Sequence, residues 1–166
     1  MSVLVTVGST GFDRLVRAVC APEFLQALAG KGFGRLVVQC GSSIDQFAPA
    51  PAALAASGIT AECFDYVDQP QRLIEEAELV ICHAGTGSIL DALRCGRPVI
   101  AVVNPELMDD HQREIAAELA RGLFLAVAEP WNLAQTVADG AYAGLRPYPR
   151  ADPRPVGDIL DEETQR

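Results

Sequence analysis

Residues 83–91 read His-Ala-Gly-Thr-Gly-Ser-Ile-Leu-Asp. An apolar run at 79–82 precedes them and predicts a strand, and the pattern at 86–94 predicts a helix stopped by Gly96. Gly85 and Gly87 leave main-chain N–H groups uncovered where that helix begins. Uncovered N–H groups at the positive end of a helix dipole receive the oxygens of a phosphate or diphosphate. Thr86 and Ser88 add hydroxyls, and Ala84 belongs to the same turn. His83, at the carboxyl end of the strand, can bring an imidazole N–H to the same oxygens. Asp91 lies a little under one turn past Ser88, where a carboxylate suits the paired hydroxyls of a ribose. Plainer readings stand beside these. Asp91 can be an exposed acid favoured by the helix dipole, and His83 an imidazole that closes the turn.

A second glycine turn follows the first apolar run, in "VTVGSTGFD" at 5–13. Gly8 permits a tight turn, Ser9 and Thr10 offer hydroxyls, and Gly11 lets a ligand approach the backbone before the next helix. Taken alone, this is either a plain turn or a phosphate site. It falls short of G-x-G-x-x-G, and the second strand ends in Gln39-Cys40 with no acid to hold a ribose, which speaks against a dinucleotide fold of the usual kind. A third stretch is "NPELMDDHQREIA" at 104–116. Asp109 or Asp110 can cap the helix that His111 starts; alternatively, His111 and Gln112 face the sheet edge and hydrogen-bond a polar ligand. Ser88 lacks the glycine two residues later that a nucleophile elbow needs, and no G-x-x-x-x-G-K-[ST] loop occurs.

The elements that must position these residues are short apolar strands alternating with helical patterns. Strands are expected at 3–7, 36–39, 59–64, 79–82, 99–103 and 124–127. Helices are expected at 12–20, 22–32, 70–77, 86–94, 111–121 and 130–143, with 41–51 a loop. Continuous apolar strands between helices imply a parallel sheet covered on both faces, hence a doubly wound α/β fold. In such sheets ligands bind outside the carboxyl ends of the strands, where both glycine turns fall. The expected domain is 1–143. Residues 144–166 carry prolines and charges and read as a disordered tail or a segment that orders on a partner.

The length, 166 residues, suits one domain. A net charge of −9 argues against a basic face for nucleic acid. An acidic chain that binds phosphates must therefore use local dipoles. The five cysteines are dispersed and form no C-x-x-C pair. They read as reduced thiols serving as small hydrophobes, and a metal cluster is not expected. No run is long enough to span a bilayer and the start lacks the signature of a signal peptide, so the chain is expected to be soluble, with any membrane role supplied by a partner.

The stretches "VTVGSTGFD", "HAGTGSILDALRCGRPVIAVVN" and "LMDDHQREIAAELARGLFL" together resemble the carboxyl-terminal, nucleotide-sugar-binding half of two-domain B-type glycosyltransferases of the family 28 type. Within that group the likeness runs to the catalytic subunits of two-subunit UDP-N-acetylglucosamine transferases. These add the second N-acetylglucosamine to dolichol-diphosphate-N-acetylglucosamine. The resemblance covers about residues 1–140. It implies a Rossmann-like domain, one half of a B-type glycosyltransferase, that transfers with inversion and without a bound metal or other cofactor. Gly8, Ser9, Thr10, Gly11, His83, Ala84, Gly85, Thr86, Gly87 and Ser88 would surround the diphosphate of UDP-N-acetylglucosamine. Asp91 would hold the ribose, where many relatives carry Glu. Gln112, with His111 beside it, would contact the donor sugar, and Asn104 the edge of the cleft. His83 and His111 are the candidates for a general base, which a partner can also supply. The partner implied is a membrane-anchored subunit that binds the lipid-diphosphate-linked sugar and recruits the chain from the cytosol to the cytosolic face of the endoplasmic reticulum. Alternatives are a bacterial-type exopolysaccharide glycosyltransferase subunit, a non-catalytic nucleotide-sugar-binding subunit, and a plain α/β interaction module.

Overall fold

A computed structural model describes residues 1–105 and 110–149, the side chains of Asp110 and His111 excepted. Six strands form one sheet: β1 (Ser2–Thr6), β2 (Arg35–Gln39), β3 (Thr60–Phe64), β4 (Leu79–His83), β5 (Val99–Val102) and β6 (Ala126–Ala128). Their spatial order is β3-β2-β1-β4-β5-β6, and every pairing is parallel. This is the doubly wound arrangement expected from the alternation of strands and helices.

Both faces of the sheet are covered, which is why the central strands carry unbroken apolar runs (Val3–Leu4–Val5, Leu36–Val37–Val38, Leu79–Val80–Ile81–Cys82) rather than alternating ones. On one face Val3, Val5, Leu36, Val38, Leu79, Ile81 and Ile100 pack against α1 (Asp13–Val19), α2 (Pro22–Gly30) and α7 (Leu133–Ala138). On the other, Leu4, Val37, Val80, Cys82, Val99 and Ala101 meet α4 (Pro70–Glu76), α5 (Thr86–Arg94) and α6 (Asp110–Arg121). Adjacent residues of one strand thus serve opposite cores, the consequence of a period of two.

Four local features differ from the sequence expectation. The loop read at 41–51 contains a 3-10 turn, Gly41–Gln46, and a further helix, α3 (Pro51–Ser57), follows it. No residue of α3 is buried, so it writes no apolar stripe. Pro51 in its first turn and Gly58 at φ 69° are its only sequence marks. The last strand starts two residues late. Residues 122–124 instead close α6, with the Leu123 N–H on the Ala120 carbonyl, the Phe124 N–H on Leu119, and Leu123 itself at φ 60°. The last helix is shorter than 130–143. The Glu129 N–H bonds to Asn132 Oδ1 before it, and Gly140 at φ 67° ends it.

Residues 142–148 lie against the domain. The Arg146 N–H reaches the Leu123 carbonyl at 2.7 Å, and Tyr148 meets Phe124 edge-on with ring centroids 5.5 Å apart. Tyr142 packs on Phe33. No helix among the described residues is long and apolar enough to cross a membrane.

Candidate functional site

The strand order reverses between β1 and β4: β1 is followed by its neighbour β2, whereas β4 is followed outward on the other side by β5. Thr6 of β1 sits in register with Cys82 of β4, so the chain leaves both strands at one level. Helices then depart on opposite sides and open a crevice at that point. The two glycine turns, 75 residues apart in sequence on a count from Gly8 to His83, face each other across it.

His83 lies between the two turns. A Cβ built on Gly8 would stand 2.8 Å from the imidazole Cε1, and one on Gly85 would overlap Nε2 outright. Bare backbone therefore covers the ring on both sides, and Gly8 needs its glycine twice, since its φ is +74°. Burial pushes the His83 pKa below the usual imidazole value, and the Thr6 backbone opposes that in part. Thr6 nevertheless falls short of a well-formed hydrogen bond, because the buried Nδ1 has no partner of good geometry. Burial thus favours the neutral ring, and its Nδ1 is a buried polar atom without a hydrogen-bond partner among the described residues.

The turn beyond His83 is tight. The Gly85 N–H bonds back to the His83 carbonyl at 2.7 Å, and the buried Ala84 N–H bonds to Val102 of β5. Gly85 is the N-cap of α5 and no side chain caps the helix. The Ile89 N–H is the first to find a helical carbonyl, that of Gly85. The N–H groups of Thr86, Gly87 and Ser88 thus open the helix without a capping side chain, and Gly87 is exposed with open space where a Cβ would stand. Asp91 is exposed on the same helix.

Across the crevice, Ser9 and Thr10 are exposed. Gly11, at φ +86°, is pressed against the 3-10 turn: a Cβ would meet Ser43 Oγ at 2.7 Å. Ser43 donates to Asp13 Oδ1 at 2.6 Å, and Ser42 donates to the Thr10 carbonyl. The glycines of this turn are thus spent on packing, one against His83 and one against Ser43. Its two hydroxyl residues remain at the surface.

A cleft of about 180 Å3 runs from this point between α4 and α5. Its polar end holds Thr6, Gly8, Ser9, Ser88 and Asp91; its apolar end holds Tyr66, Val67, Pro70, Leu73 and Ile74. The sequence reading passed over Tyr66 and Val67 as part of a connector. Tyr66 is 70% exposed, a large aromatic in a loop at a strand's carboxyl end, and that position was the available signal. Gln39 was also missed. In sequence it stands out only as a non-acidic strand end, yet it lines the cleft and is buried.

Asn104 follows β5 and Gln112 lies in the first turn of α6; both are half-buried and already engaged by neighbours. Neither lines the described cleft. The backbone of His111 is helical, but its side chain and residue 109 lie outside the described residues. Among the described residues, no three of His, Cys, Asp or Glu converge as metal ligands do.

A six-stranded parallel sheet in this order, with two glycine turns and an uncapped helix start at its switch point, defines a Rossmann-like domain. The sequence profile of the glycosyltransferase family 28 C-terminal domain matches residues 2–161, and the chain belongs to that family. It is 36% identical over 173 residues to the UDP-N-acetylglucosamine transferase subunit ALG13 of Saccharomyces cerevisiae, spanning 87% of this chain and 83% of the yeast one. The subunit of the same name in Homo sapiens is 39% identical over 117 residues, 70% of this chain but 10% of the human one. This chain thus spans about a tenth of the human relative. A solution NMR structure of ALG13 superposes with a TM-score of 0.69 at 26% identity, covering 96% of this chain and 94% of that one.

Proposed function

We propose that this chain is the donor-binding, catalytic half of a transferase that moves N-acetylglucosamine from UDP-N-acetylglucosamine to a lipid-diphosphate-linked sugar. The acceptor we assign is dolichol-diphosphate-N-acetylglucosamine. It would be presented by a membrane-anchored subunit that recruits this chain to the cytosolic face of the endoplasmic reticulum. The observation that carries the reading is the uncapped start of α5 facing a second glycine turn, with His83 wedged between them. The curated relatives named as UDP-N-acetylglucosamine transferase subunits support the choice of sugar nucleotide.

In this reading the diphosphate lies on the N–H groups of residues 86–88. The Ser9 and Thr10 hydroxyls stand opposite, and His83 donates from Nε2. The ribose reaches Asp91, and the uracil occupies the apolar end beside Tyr66 and Val67. The sugar points the other way, toward Asn104, His111 and Gln112. The acceptor hydroxyl attacks the anomeric carbon from the face opposite the diphosphate. A new C–O bond forms as the bond to the diphosphate oxygen breaks, which inverts the centre, and UDP carries away the electron pair. The negative charge that develops on UDP meets main-chain dipoles already fixed in place, so little reorganisation is needed. The acceptor proton passes to a base, either His111, a group of the partner, or His83 itself. Burial favours the neutral ring of His83, whose Nε2 can serve as donor to the diphosphate or as base, one at a time. This scheme places the charge of the diphosphate on N–H groups and calls on no metal.

Two experiments test it. UDP at about 100 times its Kd should stabilise the chain by about 2.7 kcal/mol, while ATP and NAD leave the unfolding midpoint in place. Reconstitution with and without a membrane fraction holding the partner should give transfer to the lipid acceptor only when both are present. No stabilisation by UDP removes the donor assignment, and transfer by the isolated chain removes the partner.

A further inference from the structure

Gln39 ends β2, is 7% exposed, and has its amide fully engaged. Thr6 Oγ1 donates to Oε1 at 2.7 Å. Nε2 donates both of its hydrogens, to the Gly8 carbonyl at 3.0 Å and to the Asp65 carbonyl at 2.9 Å. Those carbonyls belong to different parts of the crevice. Gly8 opens the glycine turn and lies against His83. Asp65 leads directly into Tyr66 and Val67 at the apolar end of the cleft. Gly41 backs the same junction: its N–H bonds to the Asp65 carbonyl at 2.9 Å, and a Cβ on it would stand 2.7 Å from the Gly8 oxygen.

We propose that Gln39 is a positioning residue that fixes the spacing between the turn facing the diphosphate and the loop facing the base. The inference rests on the donor reading of the cleft. Both N–H bonds are committed to the backbone, so Gln39 acts through Gly8 and Asp65 rather than by touching the donor. An amide is the group this junction needs, because two carbonyls converge on one point and only a double donor satisfies both. Removing it takes the amide donor from the Gly8 carbonyl and one of two donors from the Asp65 carbonyl, which keeps only the Gly41 N–H, so each is freer to turn toward water. The two halves of the crevice then lose their common reference. A ligand that fills one half tolerates such a shift, whereas a ligand that must fill both at once does not.

The test compares wild type, Gln39→Leu and Gln39→Glu with three ligands: UDP, uridine and pyrophosphate, the last two titrated by NMR into the millimolar range. In folded Gln39→Leu the UDP Kd should rise tenfold or more, while uridine and pyrophosphate each change less than threefold. Gln39→Glu keeps the Thr6 bond but turns a carboxylate on two carbonyls. Its UDP Kd, relative to wild type at the same pH, should be raised at pH 8. It should recover toward wild type at pH 5.5, as the acid form regains one donor. This arm also decides the matter if Gln39→Leu fails to fold. Equal losses for all three ligands, an unchanged UDP Kd in folded Gln39→Leu, or a pH-independent Gln39→Glu would each overturn the inference. If wild type binds no UDP, the donor reading falls and this inference falls with it. If wild type binds UDP and the variant binds it equally, only the positioning role is lost.

Discussion

Gly85→Ala isolates the wedging of His83. The backbone at Gly85, φ −78° and ψ 133°, is open to any residue, so a methyl group there adds no dihedral strain. Two penalties remain. Alanine is a poorer N-cap than glycine, by about 0.5–1 kcal/mol. The added Cβ also overlaps His83 Nε2, and the ring cannot retreat because Gly8 lies within contact on its other side. Overpacking of that kind costs about 1–3 kcal/mol. The sum is about 1.5–4 kcal/mol, which lowers the thermal midpoint by roughly 3–16 °C in a chain of this size. The measurement is urea unfolding followed by circular dichroism, since Trp131 is 80% exposed and reports poorly on the core. The decisive comparison is the same substitution in a His83→Ala background. There the clash is gone and only the cap penalty of about 0.5–1 kcal/mol persists, so the cycle should return a coupling of about 1–3 kcal/mol. Equal costs in the two backgrounds would refute the claim that Gly85 is glycine because of His83.

Gly87→Ala is the matching control. With nothing near its Cβ, it should leave stability unchanged or raise it by up to about 1 kcal/mol, and a midpoint lowered as far as in Gly85→Ala would contradict the open space seen there. His83→Ala should weaken UDP binding about 10- to 100-fold by calorimetry, the worth of one hydrogen bond to a charged group, and wild-type affinity would remove the histidine from the donor site. Because burial lowers the His83 pKa, the unfolded chain binds a proton that the folded chain refuses. Stability attributable to His83 is therefore present above about pH 6.5 and declines as pH falls below it, and this decline should be shallower in His83→Ala. Burial pushes the thiols of Cys82 and Cys40 up to about 12, with Cys63 adding to the shift of Cys40. Alkylation of the native chain at pH 8 with mass-spectrometric readout should find these two modified last, and early modification of Cys82 would show that β4 opens readily.

Much of the molecule can be read from the chain alone because its strongest signals are local. Continuous apolar strands such as 79–82 and 99–102, the first followed by a glycine turn and both by a helix, imply a parallel sheet buried on both faces. The glycines around His83 and the start at Thr86 mark a place where N–H groups go uncovered. The misplaced elements are those whose reasons are not local. Helix α3 packs only Ala53 and Leu54, half-buried, against the core, and β6 begins late because Leu123 and Phe124 finish α6 instead.

Tertiary structure alone settled which distant residues meet. Sequence could place the Gly8 and His83 turns at strand ends, but their meeting depends on β1 and β4 being neighbours at the reversal of strand order. Gly8 reads as the residue of a tight turn and Gly85 as bare backbone open to a phosphate, yet what approaches both in the structure is the His83 ring. Gln39 carries no motif at all. Its significance lies in two carbonyls, 31 and 26 residues away in the chain, that folding brings to one amide. Periodicity and turn chemistry are recorded along the chain, where sequence can express them. The convergence of a carbonyl, a ring and an amide from separate strands is a property of sheet order and register, and it exists only once the sheet is built.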